Sequence, residues 1–145
     1  MFYLNKNVEL DADLLKKMIS RFHVNEEPKL QKYKNYYDGI QKILQKTYSD
    51  ASKPCSRTVI NYCKNIVDSY AGYLATPGFI SYKSDEDIED IMDILRYNDY
   101  QYEDNNFLMD ALVYGIAAEL MYIDEEGKTR FRLINPMTCF AVCDD

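Results

Sequence analysis

Residues 115–136 read GIAAELMYIDEEGKTRFRLINP, and this stretch decides the fold class that we predict. Side chains alternate in character over 118–123 and again over 129–133, which is the two-residue period of a β-strand. Between the two runs, Asp124 to Gly127 has the composition of a hairpin turn that ends on glycine. Asn135-Pro136 turns the chain once more before a third strand-like run over 138–143. The stretch therefore predicts a small antiparallel β-meander over about residues 117–143.

The sequence before Gly115 has the helical period instead, with apolar residues at three- and four-residue steps. This pattern predicts five helices between about residues 12 and 114, and residues 25–29 break the pattern between the first two. The first helix is predicted from Asp11 or Asp13 to Phe22, and the second from Pro28 to Asp38-Gly39. The third is predicted from Ser56 to the residues before Pro77. The fourth is predicted from Ser84 to Asn98-Asp99, and the fifth from Tyr102 to Tyr114. The helix after Ser56 has the longest apolar pattern and is predicted to be central, and Phe79–Tyr82 is a candidate short strand.

These patterns together predict an α+β fold. The first two-thirds of the chain are mostly helical, and the small antiparallel β-meander follows. Residues 1–145 are interpreted as a single domain or a fragment of one, because 145 residues suffice to bury one core.

Charge is distributed unevenly along the chain, whose formal net charge is −7. Residues 1–64 hold 12 basic and 7 acidic side chains, net +5, whereas residues 65–145 hold 5 and 17, net −12. Such polarity could favour head-to-tail association of copies, or it could simply reflect solvated helix faces that differ in sign. The acidic second part disfavours wrapping of nucleic acid by the chain as a whole, because it repels phosphates.

Few residues are available for catalysis or for binding a cofactor. His23 is the only histidine, and its position at the end of a predicted helix favours a solvated or capping role over that of a general base. The four cysteines lack the CxxC spacing of zinc sites and are expected to be reduced thiols: Cys55, Cys63, Cys139 and Cys143. We therefore predict no enzyme activity, no cofactor and no metal site. With no signal-like or membrane-spanning run in the sequence, synthesis in a reducing cytoplasm is expected.

Two charged clusters remain to be interpreted. Six carboxylates have the spacing of a solvated helix start rather than of a cation-binding loop: Asp85, Glu86, Asp87, Glu89, Asp90 and Asp93. Lysines and tyrosines interleave further upstream, where they could neutralise phosphates and stack on bases, although basic residues on an outer helix face are common. This possible interaction surface consists of Lys29, Lys32, Tyr33, Lys34 and Tyr36.

Four segments, in order, resemble the portal-protein family of tailed bacteriophages with long non-contractile tails. They are Tyr36-Tyr37-Asp38-Gly39; Asn61-Tyr62 leading to Ile66-Val67-Asp68, Gly72-Tyr73-Leu74 and Pro77; Asn105 to Tyr114-Gly115; and Tyr122-Ile123-Asp124 to Gly127 followed by Pro136. The resemblance covers about residues 10–145. The chain departs from it at Ala75, close to where the family usually has a second glycine, and at Cys143, where a tyrosine is common.

The resemblance implies a structural protein of the virion without enzyme activity. Members of the family assemble into rings, usually of twelve subunits, at one capsid vertex, where viral DNA passes through the ring. The ring docks the packaging motor, or terminase, and later the head–tail connector proteins. The segment present here would belong to the outer wing of the subunit, which implies few DNA contacts and no membrane.

The predicted meander ends in a bare strand, and complete domains usually cover or blunt such an edge. Since family members are also longer than this chain, we expect it to be the N-terminal part of a longer portal subunit. The alternative is a stand-alone, prophage-derived binding module that uses the lysine and tyrosine surface.

Overall fold

The structure of the chain is a computed structural model that describes residues 2–5, 8–48, 50, 52, 54–74 and 80–144. The elements in chain order are β1 (Phe2–Leu4), α1 (Ala12–Arg21), a π-turn (Phe22–Glu26), α2 (Glu27–Tyr37), a 3-10 helix (Lys42–Gln45), α3 (Tyr62–Leu74), α4 (Glu89–Tyr97), α5 (Tyr100–Tyr114), β2 (Ala118–Ile123), β3 (Thr129–Ile134) and β4 (Val142–Asp144). Five α-helices thus precede an antiparallel pair of strands, which confirms the predicted α+β class.

The first two helices are joined without the predicted break. Asp11 caps α1, because its Oδ1 accepts a hydrogen bond from the Leu14 amide at 2.7 Å. The chain then continues through the π-turn, where the Glu27 amide donates to the Phe22 carbonyl, directly into α2. Pro28 lies in the first turn of α2, as its position in the sequence predicted.

The hydrophobic core is small and lies where α1, α2 and β1 meet. Its buried members are Phe2, Met18, Phe22 and Leu30. The Phe140 ring packs against two of them, with ring centroids 5.1 Å from Phe2 and 5.5 Å from Phe22. Residues from both ends of the sequence therefore build the core together.

The β-structure differs from the predicted three-stranded meander. β2 and β3 pair antiparallel as expected, with Ala118 opposite Ile134 and Ile123 opposite Thr129. The third predicted strand, over 138–143, is wrong in extent and in partner: β4 pairs in parallel with β1, with Phe2 opposite Val142. The unpaired edge expected on this strand is thus covered by β1. Burial of Phe2 in the core explains the pairing, because the buried Phe2 side chain holds β1 beside β4.

Two predicted helix starts are wrong: both helices begin later than predicted, α3 behind a side-chain cap and α4 without one. α3 begins at Tyr62 rather than after Ser56, and Asn61 Oδ1 accepts from the Lys64 amide at 3.1 Å. α4 begins at Glu89 rather than after Ser84, whose hydroxyl accepts from the Glu86 amide at 3.1 Å and closes a turn. The candidate strand Phe79–Tyr82 is also wrong for its described residues, since 80–82 have no strand structure.

α3 is not the central helix that its apolar pattern predicts. Only Ala71 is buried, while an apolar stripe beside its packed face is more than half exposed: Tyr62, Ile66, Tyr70 and Tyr73. The helix packs by its other face against α2 and α5. Amphipathic spacing identified the helix correctly, but its apolar surface is wider than the face that packs against α2 and α5.

Asn98 connects the helical part to the hairpin. Its side chain is buried, and its amide nitrogen donates to the Ile94 carbonyl at 2.8 Å and to the Thr129 carbonyl at 2.9 Å. Its amide oxygen accepts from the Phe131 N–H at 3.0 Å. The residue therefore ends α4, as predicted, and also fixes the first half of β3 against the corner between α4 and α5.

Candidate functional site

The first two sequence motifs meet where α2 ends and α3 begins. The Tyr37 hydroxyl donates to Asp68 Oδ1 at 2.8 Å and accepts from Lys64 Nζ at 3.0 Å. Lys64 Nζ also lies 2.9 Å from Asp68 Oδ2 and 4.5 Å from the centroid of the Tyr37 ring. Two motif positions, Tyr37 and Asp68, are thus joined directly and also through one lysine. We call the Tyr37, Gly39, Asn61, Lys64 and Asp68 group the motif junction.

The backbone half of the motif junction explains why it contains a glycine and an asparagine. Asn61 Nδ2 donates to the Tyr37 carbonyl at 2.7 Å, which satisfies an acceptor at the end of α2. Gly39 has φ +81°, and a Cβ added there would lie 3.3 Å from Asn61 Nδ2. Gly39 therefore permits both the left-handed turn and the close approach of Asn61.

Electrostatics in the motif junction orient the side chains rather than activate them. Hydrogen bonds to Tyr37 and Asp68 raise the pKa of Lys64, and hydrogen bonds from Lys64 and Tyr37 lower the pKa of Asp68. Both shifts favour the charged forms, so the pair stays ionised at neutral pH. Since the side chains are solvent-exposed, the ion pair adds little stability and mainly fixes geometry. No proton acceptor with a pKa near 7 results from it.

The fourth motif forms the turn of the β2–β3 hairpin. Asp124 Oδ1 accepts from the amides of Glu126 at 3.0 Å and Lys128 at 2.9 Å, and its Oδ2 accepts from Arg130 Nε at 3.2 Å. These donors, the Lys128 amide first, lower the pKa of Asp124. Gly127 completes the turn with φ +77°. Asp124 is therefore an organiser of the turn.

The remaining motif positions are spread over the fold. Tyr36, Ile66 and Val67 lie together on a groove of about 580 Å³ between α2, α3 and α5. Gly115 ends α5 in the left-handed conformation, and Pro136 is fully buried. Gly72, Tyr73 and Leu74 form the last turn of α3, Tyr122 is exposed on β2, and Pro77 lies outside the described residues. The motifs thus mark turns, caps and packing positions.

The possible interaction surface around α2 is less basic than its sequence indicates. Lys29 Nζ lies 3.1 Å from Glu26 Oε1, and Lys34 Nζ lies 3.2 Å from Asp38 Oδ2. Lys32 makes no ion pair within the described part of the chain, and the neighbouring Tyr33 is exposed. Two of the three lysines are therefore neutralised locally, which weakens the case for binding phosphates.

Sequence patterns did not identify Asn98 as more than a helix end, although it makes three hydrogen bonds. Composition signals such as Asn98-Asp99 locate an end, but they carry no information about the distant strand that the amide reaches. His23 also has a partner that the sequence left open, since its Nδ1 lies 2.6 Å from Glu27 Oε2 at an exposed site.

Within the ranges that the structure describes, no three His, Cys, Asp or Glu side chains are grouped to hold a metal ion. The described helices also include none whose length and apolar character would let it cross a bilayer.

Comparison with known proteins assigns the chain to a family. A family profile described as "Phage portal protein, SPP1 Gp6-like" matches residues 17–145. The chain belongs to this family. As a portal protein it has a structural role in the phage capsid and in DNA packaging, and the resemblance seen in the sequence is confirmed. The matched range contains every motif position of this portal protein, from Tyr36 to Pro136. No curated protein matches the chain.

Proposed function

We propose that this portal protein is the outer-wing part of a longer, ring-forming subunit at the DNA-passage vertex of a tailed-phage capsid. In this proposal the assembled ring, with about twelve copies as in the family resemblance, docks the packaging motor and then the head–tail connector. The role is structural, and the chain acts through assembly rather than through chemistry. The observation that carries the proposal is the family match over 17–145, which includes all of the motif positions.

The amount of exposed surface supports assembly with other protein. The chain exposes 11207 Å² of accessible surface, against about 7,750 Å² expected for a compact monomer of its mass. Exposed apolar residues concentrate on α3, as described above, and on β2, where Leu120, Met121 and Ile123 are at least half exposed. Surfaces of this kind mark protein–protein contacts, so we expect other parts of the subunit or its neighbours to cover them.

The charge distribution supports a place away from the DNA channel. Residues 65–145 carry a net charge of −12, which repels phosphates. Lys29 and Lys34 are already paired with Glu26 and Asp38, so the basic part of the chain also has less charge available to bind phosphates. DNA therefore passes the ring with few contacts from this segment.

Assembly of the complete gene product tests the proposal. We expect native mass spectrometry and negative-stain electron microscopy of that product to show closed rings. Mass spectrometry of purified virions should find the protein in the particle at a few to about a dozen copies, as expected of a single vertex. A complete product that stays monomeric at high concentration, or virions that lack it, would overturn the proposal.

A further inference from the structure

A groove between α2 and the 3-10 helix combines positive charge with apolar surface. It has a volume of about 310 Å³, and its lining includes Lys32, Tyr36, Ile40 and Lys42. The lining contains no carboxylate, and neither lysine forms an ion pair with any described residue. Ile40 is 54% exposed, so an apolar contact is available beside the two charges. We call this the basic groove.

α4 and the turn before it combine negative charge with apolar surface. Four exposed carboxylates make no ion pair in the described part of the chain: Asp85, Glu86, Asp87 and Asp90. Arg96 pairs only with Glu89 at 2.8 Å and Asp93 at 2.9 Å. α4 has no fully buried residue, and Ile91 is 56% exposed on the turn of helix that also carries Asp90 and Ile94. We call this the acidic helix.

We infer that the acidic helix of one copy docks in the basic groove of a neighbouring copy. Lys32 and Lys42 then face Asp87 and Asp90, and Ile91 contacts the apolar part of the groove. An amphipathic helix that lays its apolar residues into a groove, with complementary charges around them, is a common mode of recognition.

The partner is a second copy because both surfaces belong to the same chain and carry opposite charges. A contact between two different patches of identical subunits is heterologous, and it closes into a ring when the rotation between neighbours allows. The inference rests on the proposed function and adds to it the surfaces that meet.

Zero-length cross-linking tests the contact directly. Equal amounts of ¹⁴N- and ¹⁵N-labelled complete gene product are assembled, treated with a carbodiimide and digested for mass spectrometry. We expect mixed-isotope peptides that join Lys32 or Lys42 to a carboxylate within 85–90. Cross-links of these lysines found only within single-isotope peptides, or mixed cross-links only to other carboxylates, would overturn the inference.

Charge reversal provides a second test with built-in rescue. Lys32→Glu with Lys42→Glu, and separately Asp87→Lys with Asp90→Lys, are each expected to weaken self-association about tenfold, as loss of a close charge pair does. Mixing the two variants, or combining all four substitutions in one chain, restores complementary surfaces and is expected to recover association. Matched controls change the same charge elsewhere: Lys16→Glu with Lys17→Glu on α1, and Glu125→Lys with Glu126→Lys in the hairpin turn.

The outcomes separate this inference from the proposed function. Rings that form equally well from all variants would overturn the docking contact and leave the portal role standing. Controls that weaken assembly as much as the test variants would show a general charge effect and also overturn it. Loss of DNA binding by the lysine variant with unchanged assembly would assign the groove to phosphates instead. Failure of even the unmodified complete product to assemble would overturn both.

Discussion

Gly39 and Gly72 show how differently two glycines of the same motif set are constrained. Gly39 occupies the left-handed region beside Asn61, whereas Gly72 lies inside α3, and a Cβ added there would meet no described atom within 4 Å outside the backbone of the helix. Only the first position requires glycine for steric reasons.

The two glycines therefore predict opposite effects of alanine. Gly39→Ala should lower the free energy of unfolding by about 1–2 kcal/mol, because alanine is strained at positive φ. Gly72→Ala should raise it by about 0.5–1 kcal/mol, since alanine is the better helix former. Urea unfolding of the two variants measures both changes. A loss of stability for Gly72→Ala equal to that for Gly39→Ala would contradict this account.

Asp104 on α5 has an environment that disfavours its negative charge. Its Oδ2 is buried and has no hydrogen-bond partner among the described residues, and burial raises the pKa of its carboxyl group. The pKa of Glu119 on β2 is raised in turn, first by its own burial and then by Asp104. The ionised form of Asp104 is thus disfavoured in the folded state.

Replacing Asp104 by asparagine is expected to stabilise the fold at neutral pH, by roughly 1 kcal/mol, the low end of the cost of an unsatisfied buried group. Because the folded-state pKa lies above the unfolded one, the penalty is full above the folded pKa and disappears as pH falls below the unfolded pKa. The gain in Tm should therefore be large at pH 7 and small near pH 4, with Asp99→Asn as an exposed control. An equal gain at both pH values would show that ionisation is not the cause.

At the scale of elements, α3 has a buried face and an exposed apolar face. Tyr70 is 59% exposed, whereas its neighbour Ala71 is 4% exposed and faces the packed side of the helix. If other protein covers the Tyr62 to Tyr73 stripe only on assembly, substitutions in the stripe should leave the free energy of unfolding of the isolated chain almost unchanged.

Adjacent substitutions on α3 test this asymmetry. Tyr70→Ala should change the free energy of unfolding of the chain by less than about 0.5 kcal/mol, as an exposed position does. Ala71→Leu should cost about 1–3 kcal/mol, because added methylenes overpack a close contact. Thermal unfolding of both variants gives the comparison. A cost above 1 kcal/mol for Tyr70→Ala would place that side chain in the interior of the fold.

Local signals in the sequence predicted most elements but not all of their limits. The alternation over 118–123 and the Asp124 to Gly127 turn gave the β2–β3 hairpin correctly, because both signals are local. Ser56 and Ser84 were wrong as helix starts: the later residue Asn61 caps α3, whereas α4 begins after Ile88 without a side-chain cap. Asn61 is favoured further by its tertiary hydrogen bond to Tyr37, which no local pattern reveals.

The candidate site was predictable to a similar degree. The motif segments contain Tyr37, Gly39, Asn61 and Asp68, and the structure brings these four together. Lys64, which joins Tyr37 to Asp68, was not predicted, because a lysine on a helix is ordinary and its role depends on a tyrosine 27 positions earlier. The exposed face of α3 was missed for the same reason: periodicity shows that a face is apolar, but not what covers it.

At the scale of the whole molecule, the ends of the sequence form one structural unit. Phe2 is buried against Phe22 and Phe140, and β1 pairs with β4. This pairing could not be predicted, since three-residue strands are too short for an alternation signal and the partners are far apart in sequence.

Phe2→Ala is expected to destabilise the chain by about 3 kcal/mol, the low end for truncating a buried phenylalanine. Tyr3→Ala is the matched control, because Tyr3 is 64% exposed, and it should cost less than about 1 kcal/mol. Hydrogen exchange should also show faster exchange in β4 of the Phe2 variant, with the β2–β3 hairpin unchanged. Equal exchange in β4 of both variants would mean that Phe2 does not hold the strand pair.

The parallel arrangement of β1 and β4 has a mechanical consequence. Because Phe2 lies opposite Val142 and Leu4 lies opposite Asp144, tension applied outward at residues 2 and 144 pulls the strands along their length in opposite directions. The hydrogen bonds between them then carry the load simultaneously, as in a shear clamp, rather than opening one after another like a zipper. The clamp would make β1 and β4 separate late under such tension.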